Sequence, residues 1–218
     1  MVRCPCFAPL AFGFVLTSSM GCSSAGHSRS TEATESMTNL RDEIGKGQKQ
    51  IDATVASLRE LGQSGGSDLR PKFDKFSADL TALDAQEAYV KKIAADMKAK
   101  GQEYFQAWEQ EKQKASSPEI QKRIESRRSE LSALYKTIQD SLQTAKAGYV
   151  PFAASLRDIR TLLNNDLNAS GVAASKDLIE KATKEGAEVN KQLVGLVAAL
   201  DKVAQTLSPA PVSAPAPK

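Results

Sequence analysis

Residues 118–167 read PEIQKRIESRRSELSALYKTIQDSLQTAKAGYVPFAASLRDIRTLLNNDL, and this stretch decides the fold. Its large apolar residues are Ile120, Ile124, Leu131, Leu134, Ile138, Leu142, Tyr149, Phe152, Leu156, Ile159, Leu163 and Leu167. They recur in steps of three and four for nearly seven heptads. That period places one apolar stripe along one face of a long helix. The start is marked by Ser117, Pro118 and Glu119, which are cap, first-turn proline and first-turn acid. Pro151 removes one helical hydrogen bond and crowds the turn before it, so a kink or break is expected at 148–151. Residues 164–171 (NNDLNASG) are turn-forming in composition.

Working outward, two neighbouring segments repeat the pattern. Residues 68–114 carry Leu69, Phe73, Phe76, Leu80, Leu83, Val90, Ile93, Met97, Tyr104 and Trp108 on one face. That seam is interrupted at Glu87, Ala94 and Gly101. A helix of this length spans roughly 70 Å at about 1.5 Å per residue. Residues 172–207 carry Val172, Ile179, Ala182, Gly186, Val189, Leu193, Leu196, Leu200, Val203 and Leu207. Further upstream, a shorter stripe starts at Met37 and passes Leu40, Ile44, Ile51, Val55, Leu58 and Leu61, with Gly47 standing where a large residue is due. Gly45 and Gly47 each weaken that helix by about 1 kcal/mol relative to Ala.

No helix is apolar all round, and no period-two strand pattern occurs. The connectors are short, which favours antiparallel neighbours. The expected fold is therefore all-α, an elongated antiparallel helical bundle with coiled-coil-like packing over residues 37–207. Three long helices form its body, and the first either joins them or stands apart. Residues 22–36 lack large apolar side chains and are expected to be a flexible, disordered tether containing His27. Residues 208–218 (SPAPVSAPAPK) are expected to be a disordered Pro/Ala-rich tail. Tyr104, Phe105 and Trp108 are expected to pack as an aromatic plug near one end of their helix.

The first 21 residues read as an export signal. Arg3 is the positive start, and 7–16 (FAPLAFGFVL) is apolar but too short to span a bilayer as a helix. The segment ends in Gly21-Cys22, which resembles the lipobox of bacterial lipoproteins, with Ser19 where that pattern prefers Leu. The resemblance implies cleavage before Cys22 and acylation of that residue, and several acyl chains make a stable anchor where one does not. Ser23 in place of Asp favours outer-membrane delivery by the same resemblance. The expected location is the bacterial cell envelope, facing the periplasm, with the membrane as partner through the lipid and other envelope proteins as candidate partners.

Composition closes off most chemistry. All three Cys lie within the first 22 residues and there is one His, so neither a disulfide scaffold nor a His-built metal site is available. The formal charge of +3 is too small over 218 residues to argue for nucleic acid. No phosphate loop, His-Glu-x-x-His, Gly-x-Ser-x-Gly or Glu-x-x-His pair occurs. The mixed charges at Lys91, Lys92, Asp96, Lys98, Lys100 and Glu103 read as a solvated face, as does the basic run with Lys122, Arg123, Arg127 and Arg128. No catalytic residue, cofactor or metal ligand is assigned. The expected role is non-enzymatic: structural, scaffolding or spacing, with an interhelical groove for a peptide or hydrophobic ligand as the alternative.

The order Trp108-Glu109-Gln110-Glu111, Arg127-Arg128, Tyr135, Pro151-Phe152, Asp158 and Leu167-Asn168-Ala169 resembles an uncharacterised family of bacterial envelope lipoproteins. The likeness covers roughly 58–203. Asn165-Asp166 stands where that family carries His-Asn before Leu-Asn-Ala. The resemblance implies helical architecture and envelope location and assigns no activity. Finally, a lipidated start, a helical rod and a terminal Lys218 together resemble the lipoproteins joined to peptidoglycan through their last lysine, which makes Lys218 a candidate cell-wall attachment point.

Overall fold

A computed structural model describes residues 25–65 and 68–208. Every regular element in it is an α-helix: α1 (Ala25–Gly62), α2 (Leu69–Lys114), α3 (Pro118–Asn165), α4 (Ala169–Ala174) and α5 (Lys176–Leu207). The start of α3 is set by proline in its first turn and by Glu119, since Ser117 makes no side-chain cap. Asp68 precedes α2 in the left-handed conformation, φ 52°, a geometry that Asp tolerates better than most residues.

The four long helices form a ring. α1 packs against α2 and α5, and α3 packs against α5 and α2, leaving α1/α3 and α2/α5 as diagonals. Cross-helix pairs fix the directions. Glu60 meets Lys75 and Glu43 meets Gln86 between α1 and α2. Asp84 meets Arg157 and Lys112 meets Glu125 between α2 and α3. Arg41 meets Asp201 and Asp52 meets Asn190 between α1 and α5. In each pair of helices one number rises as the other falls, so neighbours are antiparallel and the bundle runs up-down-up-down. The first helix is a full member of it.

Three boundaries differ from the sequence reading. α1 begins at Ala25, so residues 25–36 of the expected tether are helix, while 22–24 lie outside the described residues. The reason is close approach rather than large apolar contact. Ala33 is 2% exposed, and the Ser30 hydroxyl donates to the carbonyl of Leu207 at the end of α5. The last long segment starts earlier than expected and in two pieces, because Ser175 (φ −93°, ψ 0°) separates α4 from α5. Its buried hydroxyl bonds the Gly171 carbonyl at 2.8 Å. α3 runs through Pro151 without a break. Pro151 and Ala147 are exposed, so the carbonyl that loses its helical partner faces water.

The buried side chains form two clusters stacked along the bundle. One contains Ile51, Leu58, Phe76, Leu83, Phe152, Leu156 and Val189. The other contains Met37, Ile44, Met97, Tyr135, Ala145, Leu196 and Leu200. Only partly buried Leu193 packs against both. The aromatic plug lies in the second cluster. Tyr104 and Phe105 meet edge to face at 5.6 Å, and Phe105 meets Tyr135 of α3 at 5.7 Å.

Gly45 of α1 has no atom within 4 Å of the position its Cβ would take. Gly45→Ala is therefore expected to stabilise the fold by about 1 kcal/mol through helix propensity and a less flexible unfolded chain. Urea unfolding followed by far-UV circular dichroism reads this directly.

Candidate functional site

Between the two core clusters lies a cavity of about 550 Å³. All four long helices line it, through Ile44, Gly47 and Ile51 of α1, Leu83 to Lys98 of α2, Tyr135 to Tyr149 of α3, and Val189 to Leu196 of α5. It opens along α2 and α3, the side of the ring where the helices pack least closely. Its size falls within the roughly 300–1,000 Å³ of small-molecule sites, and its wall has their character, mostly apolar with a few polar groups.

The void follows from residue size. Across this level α2 presents Glu87, Val90, Ala94 and Ala95, whereas the flanking seam carries Phe73, Phe76, Leu80, Leu83 and Met97. Opposite, α1 presents Gly47, whose missing Cβ would meet nothing nearer than Gln86 Cγ at 3.9 Å. Gly101, the third interruption in the α2 seam, behaves differently. A Cβ there would lie 2.5 Å from Tyr135 Cζ, so that gap is filled by the Tyr135 ring.

Polar groups gather at the α3 end nearest Phe152. Tyr149 lies edge to face with Phe152 at 6.1 Å, and its buried hydroxyl has no hydrogen-bond partner. Burial pushes this phenol well above its ordinary range, the carboxylates of Glu87 and Asp84 push it further, and Arg157 partly opposes them. The group is therefore a neutral donor at physiological pH. Glu87 is held by Lys91 at 2.5 Å and by Arg157 at 3.8 Å. On α1, the buried Glu43 carboxylate bonds Lys46 at 2.6 Å and Gln86 at 3.2 Å. Those hydrogen bonds hold its pKa below the usual carboxylate value.

Lys91 and Lys98, read from sequence as part of a solvated face, stand at the cavity mouth together with Lys146. The basic run on α3 is locally neutralised: Arg123 pairs with Glu119 at 2.7 Å, Arg127 with Glu130 at 2.8 Å and Arg128 with Glu125 at 3.5 Å. Three of the residues that carried the family resemblance do structural work. Phe152 is fully buried, Tyr135 fills the space over Gly101, and Asn168 caps α4 by accepting from Gly171 N at 2.9 Å. Cys22 and Lys218 lie outside the described residues, as do residues 1–21 and 209–218. Among the described residues no group of three His, Cys, Asp or Glu side chains is placed to hold a metal, and no helix is long and apolar enough to cross a membrane.

The arrangement defines a four-helix bundle with an interhelical cavity lined by all four long helices. Residues 22–207 match the model of a family of proteins of unknown function, DUF2959, and the chain belongs to that family. No curated protein and no solved structure matches it. The sequence reading held an interhelical groove only as its alternative and did not place it, although the position was signalled by the seam interruptions at Glu87 and Ala94 at the level of Gly47.

Proposed function

We propose that this protein is a non-enzymatic binding module of the bacterial cell envelope, anchored through lipid on Cys22, whose bundle takes a hydrophobic ligand between α2 and α3. The cavity is the observation that carries the reading, because a rod built only to span distance has no use for an open, largely apolar interhelical space of about 550 Å³. The envelope part is supported by the signal-like residues 1–21 and by a family match that starts at Cys22. Mass spectrometry of the native N-terminus tests it, with a triacylated Cys22 peptide as the expected result and an unmodified start elsewhere as the refutation.

The binding part predicts that a fluorescent polyene fatty acid gains emission on titration with the protein. Ala94→Phe, which places a ring in the cavity, is expected to weaken that binding at least tenfold (about 1.4 kcal/mol) while leaving the helical signal intact. Undiminished binding by a folded Ala94→Phe protein would remove the cavity from consideration.

A spacing role is a second reading, favoured by the length of α2 and α3, at 46 and 48 residues. It extends to wall attachment through Lys218. Purified cell-wall sacculi, digested and searched for a linked Lys218 peptide, decide that point.

A further inference from the structure

We infer that the ligand is a fatty acid, its carboxylate held by Lys146 and Tyr149 of α3 and its chain lying along the cavity toward Tyr135. This rests on the cavity-binding reading and adds the chemistry of the head. Lys146 and Tyr149 both line the cavity and are one helical turn apart, so their side chains share a face. Lys146 is exposed and makes no ion pair among the described residues. The Tyr149 hydroxyl is buried and unpartnered. A buried donor without an acceptor is costly, and a carboxylate oxygen is the acceptor that would satisfy it. An ammonium at the mouth and a phenol one turn away suit the two oxygens of a single carboxylate once the Tyr149 ring turns its buried hydroxyl toward the cavity.

The surrounding charge is compatible with an anion. Four charged residues line the cavity, and three of them are lysines: Lys91, Lys98 and Lys146. The fourth, Glu87, is engaged by Lys91 and Arg157. Asp84, further along α2, is engaged by Arg157 at 2.6 Å. Apart from Gln86, Gln139, Gln143 and the two tyrosines, the remaining wall is apolar, from Leu83 through Val90, Ala94 and Leu142 to Leu196. At about 30 Å³ for a water-sized group, 550 Å³ holds on the order of 18 such groups. That is room for one acyl chain.

The test uses the full mature chain and displacement of the bound fluorescent fatty acid. Palmitate is expected to compete about tenfold better than hexadecanol, and raised salt should narrow that gap. Lys146→Glu is expected to erase the gap without changing hexadecanol affinity. Tyr149→Phe should weaken palmitate several-fold yet leave the stability of the free protein unchanged or higher, because the hydroxyl it removes has no partner. Equal competition by palmitate and hexadecanol, unmoved by Lys146→Glu, overturns the head assignment and leaves the cavity reading standing. Competition by neither overturns both. Tighter binding of lysophosphatidylglycerol than of palmitate overturns the carboxylate in favour of a phosphate head.

Discussion

Phe152→Ala is expected to lower stability by about 3–5 kcal/mol, which for a chain of this size is a fall in Tm of roughly 10–15 °C. The side chain is fully buried, in the cluster that also holds Phe76, Leu156 and Val189. Its surroundings cannot close over the space it leaves. On the neighbouring α5 stands Gly186, whose absent Cβ would come within 3.1 Å of the Phe152 edge and 2.9 Å of Val55 on α1. Three helices therefore already meet at this point at close range. Their separation is held from both sides of the ring, by the Asp84–Arg157 pair on α2 and α3 and by the Asp52–Asn190 hydrogen bond on α1 and α5. Tyr149 above it is part of the cavity wall, so its loss of the edge-to-face contact should loosen the ligand site as well. Thermal unfolding by circular dichroism gives the stability, and a loss under 1 kcal/mol would mean that the cluster repacks. Phe105→Ala, at a half-buried position in the other cluster, should cost distinctly less.

The seams were legible because a helical stripe that packs in a bundle is a one-dimensional signal. Phe76, Leu80, Ile138, Leu156, Leu163 and Leu200 all read as core and are all at most 1% exposed. Ile120 reads the same way and is 47% exposed. The reason lies in a neighbour, not in Ile120 itself. Arg127 reaches the carbonyl of Thr206 at the end of α5, so α5 stops about two turns short of Ile120 and does not cover it. Residues 25–36 failed in the opposite sense. They pack through Ala33 and Ser30, residues whose small size allows close approach and gives no hydropathy signal. The cavity combines both limits. Glu87, Ala94 and Gly101 are equivalent as interruptions of one stripe. Whether each becomes a void depends on what the facing helices offer at its level: α3 places Tyr135 against Gly101, whereas α1 presents Gly47 at the level of the cavity.

Gly171→Ala is expected to destabilise the protein by about 2–3 kcal/mol, against the usual direction for a glycine inside a helix. Gly171 sits in the first turn of α4, where alanine alone would gain up to about 1 kcal/mol. Its α-carbon, however, lies beneath the backbone carbonyl of Asp166, and a Cβ there would overlap that oxygen well inside any real contact. A side chain can rotate away from a clash, but a carbonyl can move only with its peptide. That carbonyl is fixed by accepting from Asn168 N at 3.0 Å. Asn168 in turn caps α4 through Gly171 N and accepts from Val172 N at 3.0 Å. Shifting Asp166 therefore releases the cap, worth about 1 kcal/mol by itself. It also draws Val172, 5% exposed, out of the core. The Leu-Asn-Ala motif is thus a chain reversal between α3 and α5 whose geometry requires Gly171. Gly195→Ala on α5, with nothing within 4 Å of its Cβ, is the matched comparison and should be neutral or stabilising. Urea midpoints of the two variants should move in opposite directions, and amide exchange in α4 should rise for Gly171→Ala alone. A stabilised Gly171→Ala protein would show that the reversal has slack and that Asn168 does not hold it.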